Sequence, residues 1–176
     1  MSNIDFTRII WQPATVRFME MHERPAAQPM RSNAVFKLLP KPINVSTYRS
    51  YYFAVGEKFQ WLDRMVMEDA LLFDKINADN IEIYTFHIDE KPAGYAEFIL
   101  DKDFTEILYF GLMPEFVGKG WGLYFLNIVI LHAWSYNPKW VQLNTCSLDH
   151  PNAINVYTKA GFKKVRTAVE QRRVMT

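Results

Sequence analysis

Apolar positions follow one rhythm before residue 80 and another after it. Residues 1–47 hold five of the nine prolines (Pro13, Pro25, Pro29, Pro40 and Pro42), so they read as extended pieces joined by loops. Within them Ala14–His22 alternates like a strand, and Val35–Leu39 is a weaker strand or linker. Residues 45–60 and 63–77 carry helical spacing, broken near Gln60–Trp61 and stopped by Asn77, Asp79 and Asn80. From residue 81 the period shortens. Ile81–Ile88 and Ala93–Leu100 predict a hairpin around the turn Asp89-Glu90-Lys91-Pro92, and Ile107–Met113 predicts a third strand. Gly120–Trp134 is apolar nearly all round, as expected of a helix buried on more than one side. After Asn137-Pro138 come a fourth strand, Trp140–Cys146, and a second helix, Asn152–Ala160, capped by Gly161. A last extended segment covers Phe162–Val174.

Helices interleaved with strands after an antiparallel run predict a mixed α/β sheet, mostly antiparallel and twisted, with flanking helices. No boundary divides the chain, so residues 1–176 read as a single domain: 1–79 an N-terminal strand and helices, 80–176 a core. With 49% hydrophobic and 15% aromatic residues the chain can bury a substantial interior, which a disordered segment cannot. A net charge of +1 from 20 basic and 19 acidic residues offers no polyanion-binding surface, so nucleic acid is not an expected partner. The lone Cys146 cannot form an internal disulfide, which suits a reducing compartment. MSNIDFTRII lacks the apolar core of a signal peptide, and Leu123–Trp134 is too short to span a bilayer. A cytoplasmic protein without a membrane partner is the expectation.

The most informative run is Pro114-Glu115-Phe116-Val117-Gly118-Lys119-Gly120-Trp121-Gly122, between a strand and a helix. Glycines at alternate positions let a bulky anion approach the backbone, where amide N–H groups and the positive end of the helix can cradle phosphate; Lys119 adds a mobile charge. A P-loop needs Ser or Thr after Gly-Lys, where Gly120 stands. A dinucleotide fingerprint needs glycine where Leu123 stands. The bland alternative is a tight turn that joins strand to helix.

Here the sequence resembles the GNAT superfamily of N-acetyltransferases, whose coenzyme A loop reads Gln/Arg-x-x-Gly-x-Gly/Ala. Val117 to Gly122 matches it with Gly120 and Gly122 in the small positions and departs from it at Val117. A second stretch, His150-Pro151-Asn152-Ala153-Ile154-Asn155-Val156-Tyr157-Thr158-Lys159-Ala160-Gly161-Phe162, resembles the signature Asn-x-x-Ala-x-x-x-Tyr-x-x-x-Gly-Phe. It has Ala153, Tyr157, Gly161 and Phe162 in register, His150 in the Asn slot and Asn152 nearby. The resemblance spans residues 80–165. It implies acetyl-CoA as co-substrate, held by Leu112, Val117, Gly118, Lys119, Gly120, Trp121, Gly122 and Asn152, with no metal.

Ala153 and Tyr157 lie four apart and share a helix face, so a thin ligand arm can pass the alanine and meet the phenol. The resemblance gives Tyr157 the role of general acid to the departing thiolate. The thiol's own pKa of about 8.5, below tyrosine's 10, makes that help modest. Only about one alkylamine in a thousand is neutral near pH 7.4, which favours a carboxylate or water to take the proton. Glu106 is the first candidate, placed by alternation on one face with Leu108, Phe110 and Leu112; Glu97 is the second, and ordered water the third.

The resemblance therefore implies an N-acetyltransferase acting by direct attack in a ternary complex on an amine of a small molecule or peptide, and allows a homodimer. A non-catalytic module that senses coenzyme A or a peptide is the alternative, and an ATP-binding enzyme a third. Cys146 reads as a small core residue. His22, His87, His132 and His150 lack metal spacing. Tyr48, Tyr51, Tyr52, Phe53, Phe59 and Trp61 read as core, at the place where the family builds its acceptor wall.

Overall fold

The computed structural model describes residues 6–176. The N-terminal stretch read for a signal peptide therefore lies partly outside the described residues. Alternating apolar positions pair into seven strands among those residues: β1 (Ile9–Met21), β2 (Ala34–Leu38), β3 (Ile81–Ile88), β4 (Lys91–Leu100), β5 (Phe104–Leu112), β6 (Trp140–Cys146) and β7 (Lys163–Met175). They form one sheet in the order β2-β3-β4-β5-β6-β1-β7. Every pairing recorded in it is antiparallel except that of β5 with β6, which run parallel. The mixed, mostly antiparallel α/β fold expected from the sequence is the fold observed.

Helices α1 (Val45–Gly56), α2 (Asp69–Asn77), α3 (Gly122–Ser135) and α4 (Ala153–Ala160) cover the sheet. Phe86, Ala96, Phe98 and Ile107 pack with Phe125, Val129 and Ala133 of α3, and with Val156 and Tyr157 of α4. Phe86 and Phe125 stack at 4.2 Å between ring centroids. The all-round apolar character of α3 has its cause here, since eight of its residues are buried. A second cluster unites Ile81, Ile83 and Tyr95 with Tyr48, Tyr52, Leu72 and Ile76 of α1 and α2.

Several boundaries differ from the sequence reading, each for a physical reason. The helix expected over 45–60 ends at Gly56, where a Cβ would stand 2.4 Å from Trp61 Cβ, and Gln60 turns left-handed at φ 57°. The helix expected over 63–77 begins only at Asp69. Upstream, the Arg64 side chain turns inward to Glu97, and Arg49 Nε donates to the Arg64 carbonyl at 3.1 Å, so 62–66 forms a turn instead. β1 reaches back through Pro13, which the alternation excluded. Before Val16 this strand has β7 on one side and no pairing to β6, so a residue without an N–H is tolerated there. Asp89 and Glu90, both at positive φ, complete the hairpin turn by themselves and release Lys91 and Pro92 into β4. α3 starts at Gly122, two residues after the predicted start.

Candidate active site

The parallel pair β5–β6 holds register for four residues, from Phe104 opposite Trp140 to Ile107 opposite Leu143, and goes no further. The break coincides with an extra residue in β5. Against β4, Phe98 faces Ile107 and Glu97 faces Tyr109, so Leu108 is a bulge. Beyond it a cleft of about 410 Å³ lies between β5 and the β6–α4 connection, running from the glycine loop to Trp61.

The bulge also reverses the faces. Ile107 packs with α3, and after the bulge Phe110 and Leu112 do so as well. Glu106, opposite Ile99, lies on the α1/α2 side. The expectation that Glu106 shares a face with Phe110 and Leu112 is therefore corrected, because period-two alternation fails across one inserted residue. Glu106 is half-buried and absent from the cleft lining. Gln142 Nε2 donates to it at 3.1 Å and Asn144 Nδ2 at 3.4 Å, and Asn144 does line the cleft. Burial raises its carboxyl above the ordinary range, against the pull of those two amides. Glu97, the second candidate, is fully buried with both oxygens engaged. Arg64 Nη2 donates to Oε1 at 2.9 Å and the Tyr48 hydroxyl to Oε2 at 2.6 Å. It ties β4 to α1 and to the turn before α2, and it does not line the cleft.

At the opposite end, Gly118 and Gly120 adopt φ +78°, and a Cβ built at 118, 120 or 122 would meet nothing within 4 Å. All three line the cleft with Val117. The residues between them do not. The Lys119 ammonium lies 5.9 Å from the Phe116 ring centre, and Trp121 turns inward against Phe86 and Tyr124 beneath the Arg31 guanidinium. Trp121 supplies no side-chain cap to α3, so the N–H groups of its first turn point at the loop without a protein cap. Such a concentration of free amides and helix dipole fits a diphosphate. Leu112, at the end of β5, lines the same wall.

Tyr157 lines the far wall from α4, and so does Asn152 at that helix's start. Burial, then the charge of Asp149, pushes the Tyr157 phenol well above its usual value and keeps it protonated. His150, in the slot where the motif has Asn, accepts the Asn152 N–H on Nδ1 at 3.1 Å and so orders the turn into α4.

Neither Asp149 nor Asn144 is among the sequence-predicted site residues. Asp149 stands where the cleft meets a smaller chamber of about 140 Å³; Phe59, Trp61, Leu108, Tyr109 and Asn144 line both spaces. Its carboxylate accepts from Trp61 Nε1 at 3.1 Å, Thr145 Oγ1 at 2.8 Å and the Cys146 N–H at 2.7 Å. Of the aromatic run read as core, Phe59 and Trp61 line the cleft, Trp61 while packing against the second cluster, and Tyr48 and Tyr52 stay buried. Cys146 lines the smaller chamber, and burial followed by Asp149 raises its thiol, which disfavours the nucleophilic thiolate.

The sheet splits at its parallel pair, with a glycine loop at one end of the split and a tyrosine on its far wall. The chain belongs to the acetyltransferase (GNAT) family, whose profile matches residues 45–162. Members of that family use acetyl-CoA in general. No curated protein matches the sequence. Among solved structures, a functionally unknown conserved protein from Staphylococcus epidermidis aligns with TM-score 0.63 and 16% identity, over 94% of this chain and 63% of that one. A protein from Novosphingobium aromaticivorans assigned to the GNAT family gives 0.61 and 16%, over 96% and 68%. A chimeric spermidine N-acetyltransferase from Vibrio cholerae gives 0.57 and 14%, over 82% and 96%. At these identities the likeness is one of fold. This chain spans less than two thirds of the Staphylococcus epidermidis relative. Among the described residues no helix is long and apolar enough to cross a membrane, and no group of three or more His, Cys, Asp or Glu could hold a metal ion.

Proposed function

We propose that the protein transfers an acetyl group from acetyl-CoA to an amine by direct attack in a ternary complex. The observation that carries this reading is the continuity of one cleft from an unobstructed glycine loop to Tyr157. The amides of 118–122 would hold the diphosphate, the backbone at Leu112 the pantetheine arm, and the start of α4 at Asn152 the opposite wall. When bound, acetyl-CoA supplies an activated thioester. Tyr157, kept neutral by burial, holds a proton for the departing thiol. Val117 offers no side-chain hydrogen bond, so the grip rests on backbone amides. Glu106 is a positioning residue: it fixes Asn144 in the cleft wall, while the acceptor's proton passes to water. The spermidine acetyltransferase of the same fold makes an amine acceptor a reasonable class for this chain.

Calorimetry with acetyl-CoA, joined to a thiol-release assay over a panel of amines, tests the reading. Binding with turnover supports it. Binding without thiol release on any amine points to the sensor module, and competition by ATP for the same site points to a nucleotide enzyme.

A further inference from the structure

The smaller chamber continues the cleft past Asp149, and its charges divide in an informative way. Asp63, Asp149, Arg172 and Arg173 line it with Tyr52, Trp61, Tyr109 and Leu148. Arg173 is committed: its guanidinium donates to Asp63 at 2.6 Å and lies over the Trp11 ring at 4.4 Å. That contact neutralises Asp63 as well. Among the described residues the ion-pair partner of Arg172 is Glu170, two residues away on the same strand, at 2.9 Å, with both side chains about a third exposed. A pair of that kind is screened by solvent and easily exchanged for another carboxylate. Asp149 has the opposite lack. All three of its hydrogen-bond donors are neutral, and no basic side chain within the described residues forms an ion pair with it. The chamber therefore presents one uncompensated anion at its junction with the cleft and one exchangeable cation, between aromatic and aliphatic walls.

We propose that this chamber binds a free α-amino acid with an apolar side chain, its ammonium at Asp149 and its carboxylate at Arg172. The inference rests on the acetyltransferase reading and names the acceptor for it. A zwitterion satisfies both charges at once, whereas a polyamine would bring a second cation towards Arg172. Asp149 and Tyr157 line the same cleft, so an ammonium held at Asp149 faces the space where the acyl group would be delivered. In the reaction the amine nitrogen forms one bond to the acyl carbon, the carbon–sulfur bond breaks, the thiol leaves with a proton, and the ammonium's remaining surplus proton goes to solvent. Arg172 lies in β7, outside the residues the family profile matches, as expected of a group that selects this chain's own acceptor.

The test is calorimetric, on the full chain, with L-leucine and L-phenylalanine, each against the corresponding amine without the carboxylate, and with spermidine. Coenzyme A is titrated into the same sample to read the parent proposal separately. The inference expects at least one amino acid to bind about tenfold or more tighter than its decarboxylated amine. Arg172→Gln should abolish that preference while leaving the amine's own affinity and coenzyme A binding unchanged. Spermidine or a simple amine binding as tightly as the amino acid would overturn the inference. So would a preference that survives Arg172→Gln, or coenzyme A binding to a protein that takes neither amino acid. Failure of coenzyme A to bind would overturn the parent proposal instead.

Discussion

The two ends of the cleft are made of different material. At the glycine loop the wall is backbone: three positions without side chains, two of them at positive φ, against the uncapped start of α3. At the other end the wall is built from side chains of four separate segments, with Trp61 after α1, Tyr109 from β5, Asn144 and Asp149 at and after β6, and Arg172 from β7. Beneath that end sits an ion pair, Arg64–Glu97, with Tyr48 and Tyr52 around it. A backbone wall depends on what is missing, and any added bulk spoils it. A side-chain wall depends on what supports it, and losing one buried partner spoils it.

That contrast can be broken or sharpened by substitution. The largest effect is expected from Gly120→Glu, which places bulk and negative charge where a diphosphate would lie; coenzyme A binding by calorimetry should fall by about 100-fold or more while circular dichroism is unchanged. Next, Arg64→Met strands a fully buried carboxylate and should cost about 3–5 kcal/mol in urea unfolding, and Glu97→Gln in the same background should recover part of it. An equally stable Arg64→Met protein would show that the pair supports nothing. Tyr157→Phe should lower turnover about 10²-fold with acetyl-CoA affinity unchanged, and equal rates would remove the phenol from the reaction.

The smallest effect is expected at Glu106. Burial makes the folded protein hold this carboxyl's proton more tightly than the unfolded chain does. Its favourable contribution is therefore complete at low pH and is lost as pH rises through the folded-state value. Wild type should lose stability relative to Glu106→Gln as pH climbs from about 4 towards 7, with turnover within about threefold of wild type at neutral pH. A larger drop in turnover would restore Glu106 as the base.

The backbone end was legible in the sequence because glycine spacing and a following helix are local patterns. Of the two motif stretches, Val117, Gly118, Gly120 and Gly122 line the cleft on one side and His150, Asn152, Ala153, Val156 and Tyr157 on the other, while Lys119 and Trp121 do not. The faces of β5 were not legible, because Leu108 carries no mark of a bulge and one inserted residue moves Glu106 to the other side. Asp149 and Arg172 were hidden for a different reason. They converge only because β1 lies between β6 and β7, a pairing across the whole chain that no local period reports. The late start of α2 has the same origin, since a long-range partner for Arg64 outweighs helical spacing in 63–68.

The most direct test of the central claim is the electron density of a crystal grown with coenzyme A. The account predicts the diphosphate against the amides of 118–122 and the thiol end beside the Tyr157 hydroxyl. Density for the diphosphate elsewhere, or a thiol end directed away from Tyr157, would contradict it.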